Sequence, residues 1–163
     1  MEDDMKVVLT LGIISRPSFI LLGLKKKGRM GVGKWNGFGG HVEEWETIEE
    51  CLDRETKDES GLVVETREKV GFIEFRFANE PGIVNETHIF VVKKFSGEPQ
   101  ETDEMMRPEW FDIKDIPYHE MWTIDRHWLP LVLEGKKIRG RVLYNNKESM
   151  KILHKDLREA SEI

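Results

Sequence analysis

Three acidic side chains, Glu55, Asp58 and Glu59, recur at helical spacing within residues 47–60, a stretch with no Gly or Pro that stops at Gly61. On a wheel of about 100° per residue, with Ile48 at zero, Cys51 and Leu52 fall at about −60° and +40° and mark an apolar stripe. Glu55, Glu59 and Asp58 fall at about −20°, +20° and −80° on the same side, whereas Glu50, Asp53 and Lys57 face outward. Carboxylates on the packing side of a helix cost desolvation and mutual repulsion, and they are kept there when paired or when they bind a cation. All-oxygen ligation with room for water and phosphate oxygens suits Mg²⁺, with Mn²⁺ as a substitute, better than Zn²⁺. Taken alone, the helix also fits a second reading, an acidic face salt-bridged to Arg54, Lys57 or Arg67.

The elements around this helix must present it to a ligand. Residues 6–14 are rich in Val, Ile and Leu and end at Ser15, Arg16 and Pro17, which predicts a buried strand and a turn, with residues 19–24 as its hairpin partner. Between Gly28 and Gly40 lie six glycines, a loop suited to sharp bends or close approach to a ligand. Lys25, Lys26, Lys27, Arg29 and Lys34 form a basic stretch beside it, which could meet an anion or simply be solvated. Residues 72–77 and 87–94 are expected as strands on either side of a turn-rich segment, and 109–111 begin another. Residues 124–133 are expected as a second helix that must accommodate Pro130, and the basic run 136–141 as a solvated surface strand or turn. One long helix among many strands implies a mixed sheet covered by helices, of α/β or α+β class. Trp35, Trp110 and Trp128 are expected in the core, and the other histidines, His88, His119, His127 and His154, show no metal spacing.

Reading on from Gly40, five residues lead to Glu46 and seven more to Arg54-Glu55-Thr56-Lys57-Asp58-Glu59-Ser60-Gly61-Leu62. This pattern resembles the Nudix box of the Nudix hydrolases. Thr56 stands where that family usually has an aliphatic residue, and Asp58 where it usually has Glu. The resemblance extends along most of the chain to the branch of oxidised-purine nucleoside triphosphatases. It is carried there by residues 21–26, Trp35-Asn36-Gly37-Phe38-Gly39-Gly40, residues 103–108, Met121-Trp122 and Trp128-Leu129-Pro130.

The resemblance implies an α/β Nudix fold, a mixed β-sheet sandwiched between helices, as a single domain over residues 1–163. It implies Mg²⁺-dependent hydrolysis of purine nucleoside triphosphates such as 8-oxo-dGTP to the monophosphate and pyrophosphate, a sanitation of the nucleotide pool that prevents DNA damage. Gly39, Glu55, Asp58, Glu59 and Glu104 are implied as metal ligands. Glu55 or Glu59 would activate water, and Arg54 would steady loop and helix through an ion pair, since the wheel turns it away from the stripe. Thr10, Lys25, Asn36, Phe38, Gly39, Gly40, His41, Trp122 and Asp125 are implied to contact substrate. His41 replaces a Lys common in this branch. Ile124 replaces the first of two adjacent aspartates that are implied to read the modified base. That departure keeps open a Nudix pyrophosphatase acting on another nucleoside diphosphate derivative. A non-catalytic nucleotide-binding module is the third reading, and the costly carboxylate cluster argues against it.

Bulk properties agree with these expectations. The 163 residues, 39% hydrophobic and 34% charged, are globular in composition. A formal net charge of −6 disfavours a nucleic-acid polymer as partner, because phosphate-backbone affinity needs clustered Lys and Arg. Cys51 is the only cysteine, so no intramolecular disulfide or Cys zinc cluster is available. The acidic residues 1–4 are unlike a signal peptide, and no apolar run is long enough to cross a membrane. A cytoplasmic monomer with a small nucleotide substrate is expected.

Overall fold

The structure is a computed structural model that describes residues 3–163; of the acidic segment 1–4, the first two residues lie outside the described ones. The elements run β1 (Met5–Arg16), β2 (Phe19–Leu24), β3 (Trp35–Asn36), α1 (Ile48–Ser60), β4 (Val63–Phe77), β5 (Ile83–Ser96), β6 (Glu109–Asp112), α2 (Asp125–Leu133), β7 (Lys137–Tyr144) and β8 (Ile152–Ala160). The strands form one mixed sheet in the order β3-β2-β1-β5-β4-β7-β8, with β6 also pairing with β2. β1 runs parallel to β5 and β4 parallel to β7; the remaining pairs are antiparallel.

Alternation along the strands divides the core between the two faces of this sheet. Ile13 packs with Ile73, Phe75, Trp128, Leu129 and Tyr144 on the α2 side. Its neighbour Ile14 packs with Phe38, Leu52, Leu62 and Phe90 on the α1 side. The sheet is thus sandwiched between the two helices, as expected from the resemblance. The β1–β2 hairpin, α1 and β6 also lie where the sequence places them.

Helix α1 is fixed at both ends. The Glu50 amide donates to Thr47 Oγ1 at 3.1 Å and the Thr47 amide to Glu50 Oε1 at 3.0 Å, a reciprocal cap of the kind that contributes about 1 kcal/mol. At the other end Gly61 takes φ 81° and its amide closes onto the Lys57 carbonyl at 2.9 Å. Between these caps Cys51, Leu52, Thr56, Glu59 and Ser60 are buried.

Four elements differ from the sequence-based expectation. β4 begins at Val63 rather than at residue 72, and register shifts between Val64 and Gly71 interrupt the two-residue alternation that would have revealed it. β5 likewise extends to Ile83 and Ser96. β7 is an integral strand with Ile138, Val142 and Tyr144 buried, not a solvated strand or turn; its alternate basic residues masked the apolar face. β8 was not foreseen, because as an edge strand it is mostly exposed and polar. Pro130 sits inside α2, where its lost amide removes one helical hydrogen bond.

Thr56 is fully buried and its hydroxyl has no hydrogen-bond partner among the described residues. Replacing an unpaired buried hydroxyl by a methyl of similar shape removes a desolvation cost, so Thr56→Val should stabilise the fold by about 1 kcal/mol. Urea unfolding checks this. A loss of 1 kcal/mol or more would show that the hydroxyl is partnered in solution.

Candidate active site

The glycine-rich segment reaches its position by lying along β1. Gly12 and Phe38 exchange backbone hydrogen bonds, the Thr10 amide donates to the Gly40 carbonyl at 2.9 Å, and the Val42 amide to that of Val8 at 3.0 Å. A Cβ on Gly39 would collide with the Thr10 carbonyl, so only glycine permits this approach. The contact aims the Gly39 amide at α1, where it donates to Glu59 Oε1 at 2.8 Å. Gly40 is constrained less severely: a Cβ there would sit 2.8–3.0 Å from the Glu55 carboxyl group and would displace that side chain rather than the backbone.

Opposite these glycines, Glu55, Glu59 and Glu104 each bring a carboxylate oxygen to within 4.8 Å of the others. Glu104 arrives from a separate segment, docked by hydrogen bonds from the Lys26 amide to its carbonyl at 2.7 Å and from the Met106 amide to Leu24 at 2.9 Å. Glu59 is only 2% exposed, and burial pushes its carboxyl up to about 8; the Gly39 amide opposes this shift, and Glu55 and Glu104 add to it. The Glu55 carboxyl is also raised by burial, against the pull of Arg54. A set of hard oxygen donors at this spacing, with too little positive charge of its own, fits a divalent cation. Asp58 lies outside the group: its side chain is 62% exposed and sits 3.7 Å from Arg54 Nη1.

Arg54 does not turn away from the carboxylates as its wheel position suggests. Its long side chain carries the guanidinium back, so that Nε and Nη2 hold both oxygens of Glu46 at 2.9 and 2.7 Å while Nη1 holds Glu55 Oε1 at 2.7 Å. Glu46, whose carboxylate is wholly buried, is kept ionised by this fork and held down to about 2, with burial opposing and the Glu43 amide assisting. The ion pair ties the loop preceding α1 to the helix and orients Glu55.

Beside the carboxylates opens a cleft of about 140 Å³ on the α2 side of the sheet. Glu59, Gly39, Gly40, Thr10, Lys25 and Asn36 line it together with Phe75, Trp122, Ile124, Asp125, Trp128 and Tyr144. Trp122 stands edge-on to Phe75, ring centres 5.5 Å apart, and to Tyr144 at 5.9 Å. Asp125 is 4% exposed, and its Oδ1 accepts a bond from Trp128 Nε1 at 3.0 Å. Its Oδ2 has no partner among the described residues, and burial pushes the carboxyl up to about 7.

Two residues expected at the substrate fall elsewhere. The Phe38 side chain is fully buried in the core under α1, because its neighbours Gly37 and Gly39 hold the loop flat on β1. His41 is exposed and does not line the cleft. Phe75 and Tyr144 also line it, and the two-residue alternation of β4 and β7 is their only sequence signal; Met30 and Met105 reach it from segments outside the strands.

A family model described as NUDIX domain matches residues 6–132. An oxidized purine nucleoside triphosphate hydrolase of Danio rerio is 49% identical over 133 residues, which is 82% of this chain and 83% of that protein. Its counterpart in Mus musculus is 44% identical over 150 residues, 92% of this chain and 93% of that one. Among solved structures, a mutator MutT protein from Bacillus halodurans superposes with a TM-score of 0.79 at 24% identity, covering 93% of this chain and 97% of that one; it shares the fold.

The buried Glu59 carboxyl has a consequence for stability. It titrates near 8 when folded and in the ordinary glutamate range when unfolded, so its contribution is complete at low pH and is lost as pH rises through about 8. In chelator, Glu59→Gln should therefore raise the unfolding free energy by on the order of 2 kcal/mol at pH 9 and change it little at pH 5. Equal effects at the two pH values would contradict this.

Proposed function

The chain belongs to the Nudix family, and from that premise we propose that it hydrolyses oxidised purine nucleoside triphosphates, such as 8-oxo-dGTP, to the monophosphate and pyrophosphate with Mg²⁺ as cofactor. The observation that carries this reading is the placement of Glu59. One buried carboxylate belongs both to the acidic group and to the lining of an aromatic cleft, so a triphosphate whose base enters the cleft has its phosphates beside the acids.

Glu55, Glu59 and Glu104 with the Gly39 backbone would hold the cation, and Asp58 would add negative charge at the rim. When bound, a divalent ion neutralises phosphate oxygens and acidifies a water. Glu55 or Glu59 takes the proton of the attacking water as its oxygen bonds to phosphorus and the bond to the departing pyrophosphate breaks. Arg54 is a positioning residue: it keeps Glu55 oriented and paired. Lys25 supplies positive charge to the phosphates, while Thr10, Asn36, Gly40, Trp122 and Asp125 surround the nucleoside. The Asp125 oxygen left without a partner is a natural contact for the edge of a purine. The same reading takes residues 1–163 as one domain and a cytoplasmic monomer. No helix among the described residues is long and apolar enough to cross a membrane.

Pyrophosphate release across a nucleotide panel should require Mg²⁺ or Mn²⁺, and Glu59→Gln should lower turnover by a factor on the order of 10² because an amide is a poor ligand and no base. Near-normal turnover of a folded Glu59→Gln protein at saturating metal would remove the catalytic assignment.

Ile124, 5% exposed, stands beside Asp125 in the cleft, where the resemblance implies two adjacent aspartates. Two adjacent carboxyls that share a proton offer one donor and one acceptor, a paired contact worth roughly 1–3 kcal/mol. Ile124→Asp should thus raise the ratio of kcat/KM for 8-oxo-dGTP over dGTP by about tenfold. An unchanged ratio would mean that Asn36 and Asp125 already determine the preference.

A further inference from the structure

β4 and β7 present a different surface on the face of the sheet away from the nucleotide cleft. Side chains alternate along a strand, so Phe75 and Tyr144, which line that cleft, point away from Phe72, Glu74, Arg139 and Arg141. These four, with Asp156 and Arg158 of β8, line a second cleft of about 250 Å³.

Arg139 and Arg158 are directly opposite each other across the antiparallel β7–β8 pair. Such a position brings the Cβ atoms to about 5 Å, and like charges there are destabilising. Among the described residues neither guanidinium has a carboxylate within 4.0 Å. Of the two acids in the cleft, Glu74 lies 3.6 Å from Arg141 Nε, while Asp156 is opposite Arg141 in the strand pairing and, among the described residues, forms no ion pair within 4.0 Å. A chain with a net charge of −6 has carboxylates to spare, and none is set between this pair.

Arg139 is also held in place. Its guanidinium centre lies 5.5 Å from the centre of the Phe72 ring, and that ring is fixed edge-on against His88 at 5.0 Å. Burial above all, and then Lys69, hold His88 down to about 4; Glu49 opposes them and Arg139 assists weakly. A fixed guanidinium facing a second one across the strands is the geometry in which an oxyanion accepts paired N–H bonds from both.

We propose that Arg139 and Arg158 form a second anion site, on the sheet face opposite the nucleotide cleft, for a small, multiply charged phosphate oxyanion held between the two guanidinium groups. Glu74 and Asp156 flank the site and disfavour an extended run of phosphates across it, and inorganic phosphate and pyrophosphate are its two candidate sources. The site rests on strand register and is independent of the catalytic reading.

The test uses the full chain in EDTA, which removes cation-mediated capture at the carboxylates. Calorimetric titration and thermal unfolding are run with phosphate, with pyrophosphate and with chloride at equal ionic strength. Either oxyanion should raise the unfolding midpoint above the chloride control, and the tighter of the two identifies the source. Arg139→Gln and Arg158→Gln should each weaken that binding tenfold or more. In chloride alone Arg158→Gln should be at least as stable as the parent, because it removes a like-charge contact. A midpoint rise matched by chloride, or parent-like oxyanion binding in both arginine variants, would overturn the site.

Discussion

Burying a carboxylate is the constraint around which this molecule is arranged. Glu59 sits within the protein, close to two other acids, and among the described residues its carboxylate has one hydrogen bond, from the amide of Gly39, with a weaker attraction from Lys25. That single hydrogen bond requires the loop to lie flat on β1, which in turn requires glycine where a Cβ would strike the strand backbone. It also requires α1 to be held at a fixed height. The reciprocal cap at Thr47, the Gly61 stop and the Arg54–Glu46 fork meet that need at the start, end and flank of the helix. Stability is given up at Glu59 and recovered in these supports, a distribution typical of a functional site.

The sheet serves this arrangement by separating tasks between its faces. Apolar residues of β1 under α1 anchor the acidic helix, while their neighbours on the other face build the aromatic cleft with α2. Because both faces share the same strands, the sheet fixes the acidic helix and the aromatic cleft relative to each other. The 49% identical hydrolase from Danio rerio and the bacterial MutT structure place this chain among proteins that share its sequence pattern and its fold.

Much of this was legible in the sequence where local rules and global packing agree. The α1 boundaries follow from Thr47, Gly61 and an uninterrupted run of helix formers, and the first hairpin from Pro17 between two apolar runs. The convergence of Glu55 with Glu59 follows from helical spacing alone, while Glu104 was reached only through resemblance, since nothing local links it to α1. Asp58 shows the limit of a wheel: a short side chain at the edge of the stripe turns to solvent and to Arg54. Arg54 shows the converse, a side chain long enough to return to the face that its Cα leaves. The start of β4 and all of β8 were hidden because bulges and an exposed edge erase the alternation by which a strand is recognised.

The central claim is that Glu55, Glu59 and Glu104 together hold a divalent cation beside the cleft. Anomalous diffraction at the manganese edge, from crystals equilibrated with Mn²⁺, locates such an ion directly. The account predicts a peak within ligating distance of oxygens from Glu59 and at least one of Glu55 and Glu104, absent from crystals of Glu59→Gln under the same conditions. A peak bound elsewhere, or one that persists unchanged without the Glu59 carboxylate, would contradict it.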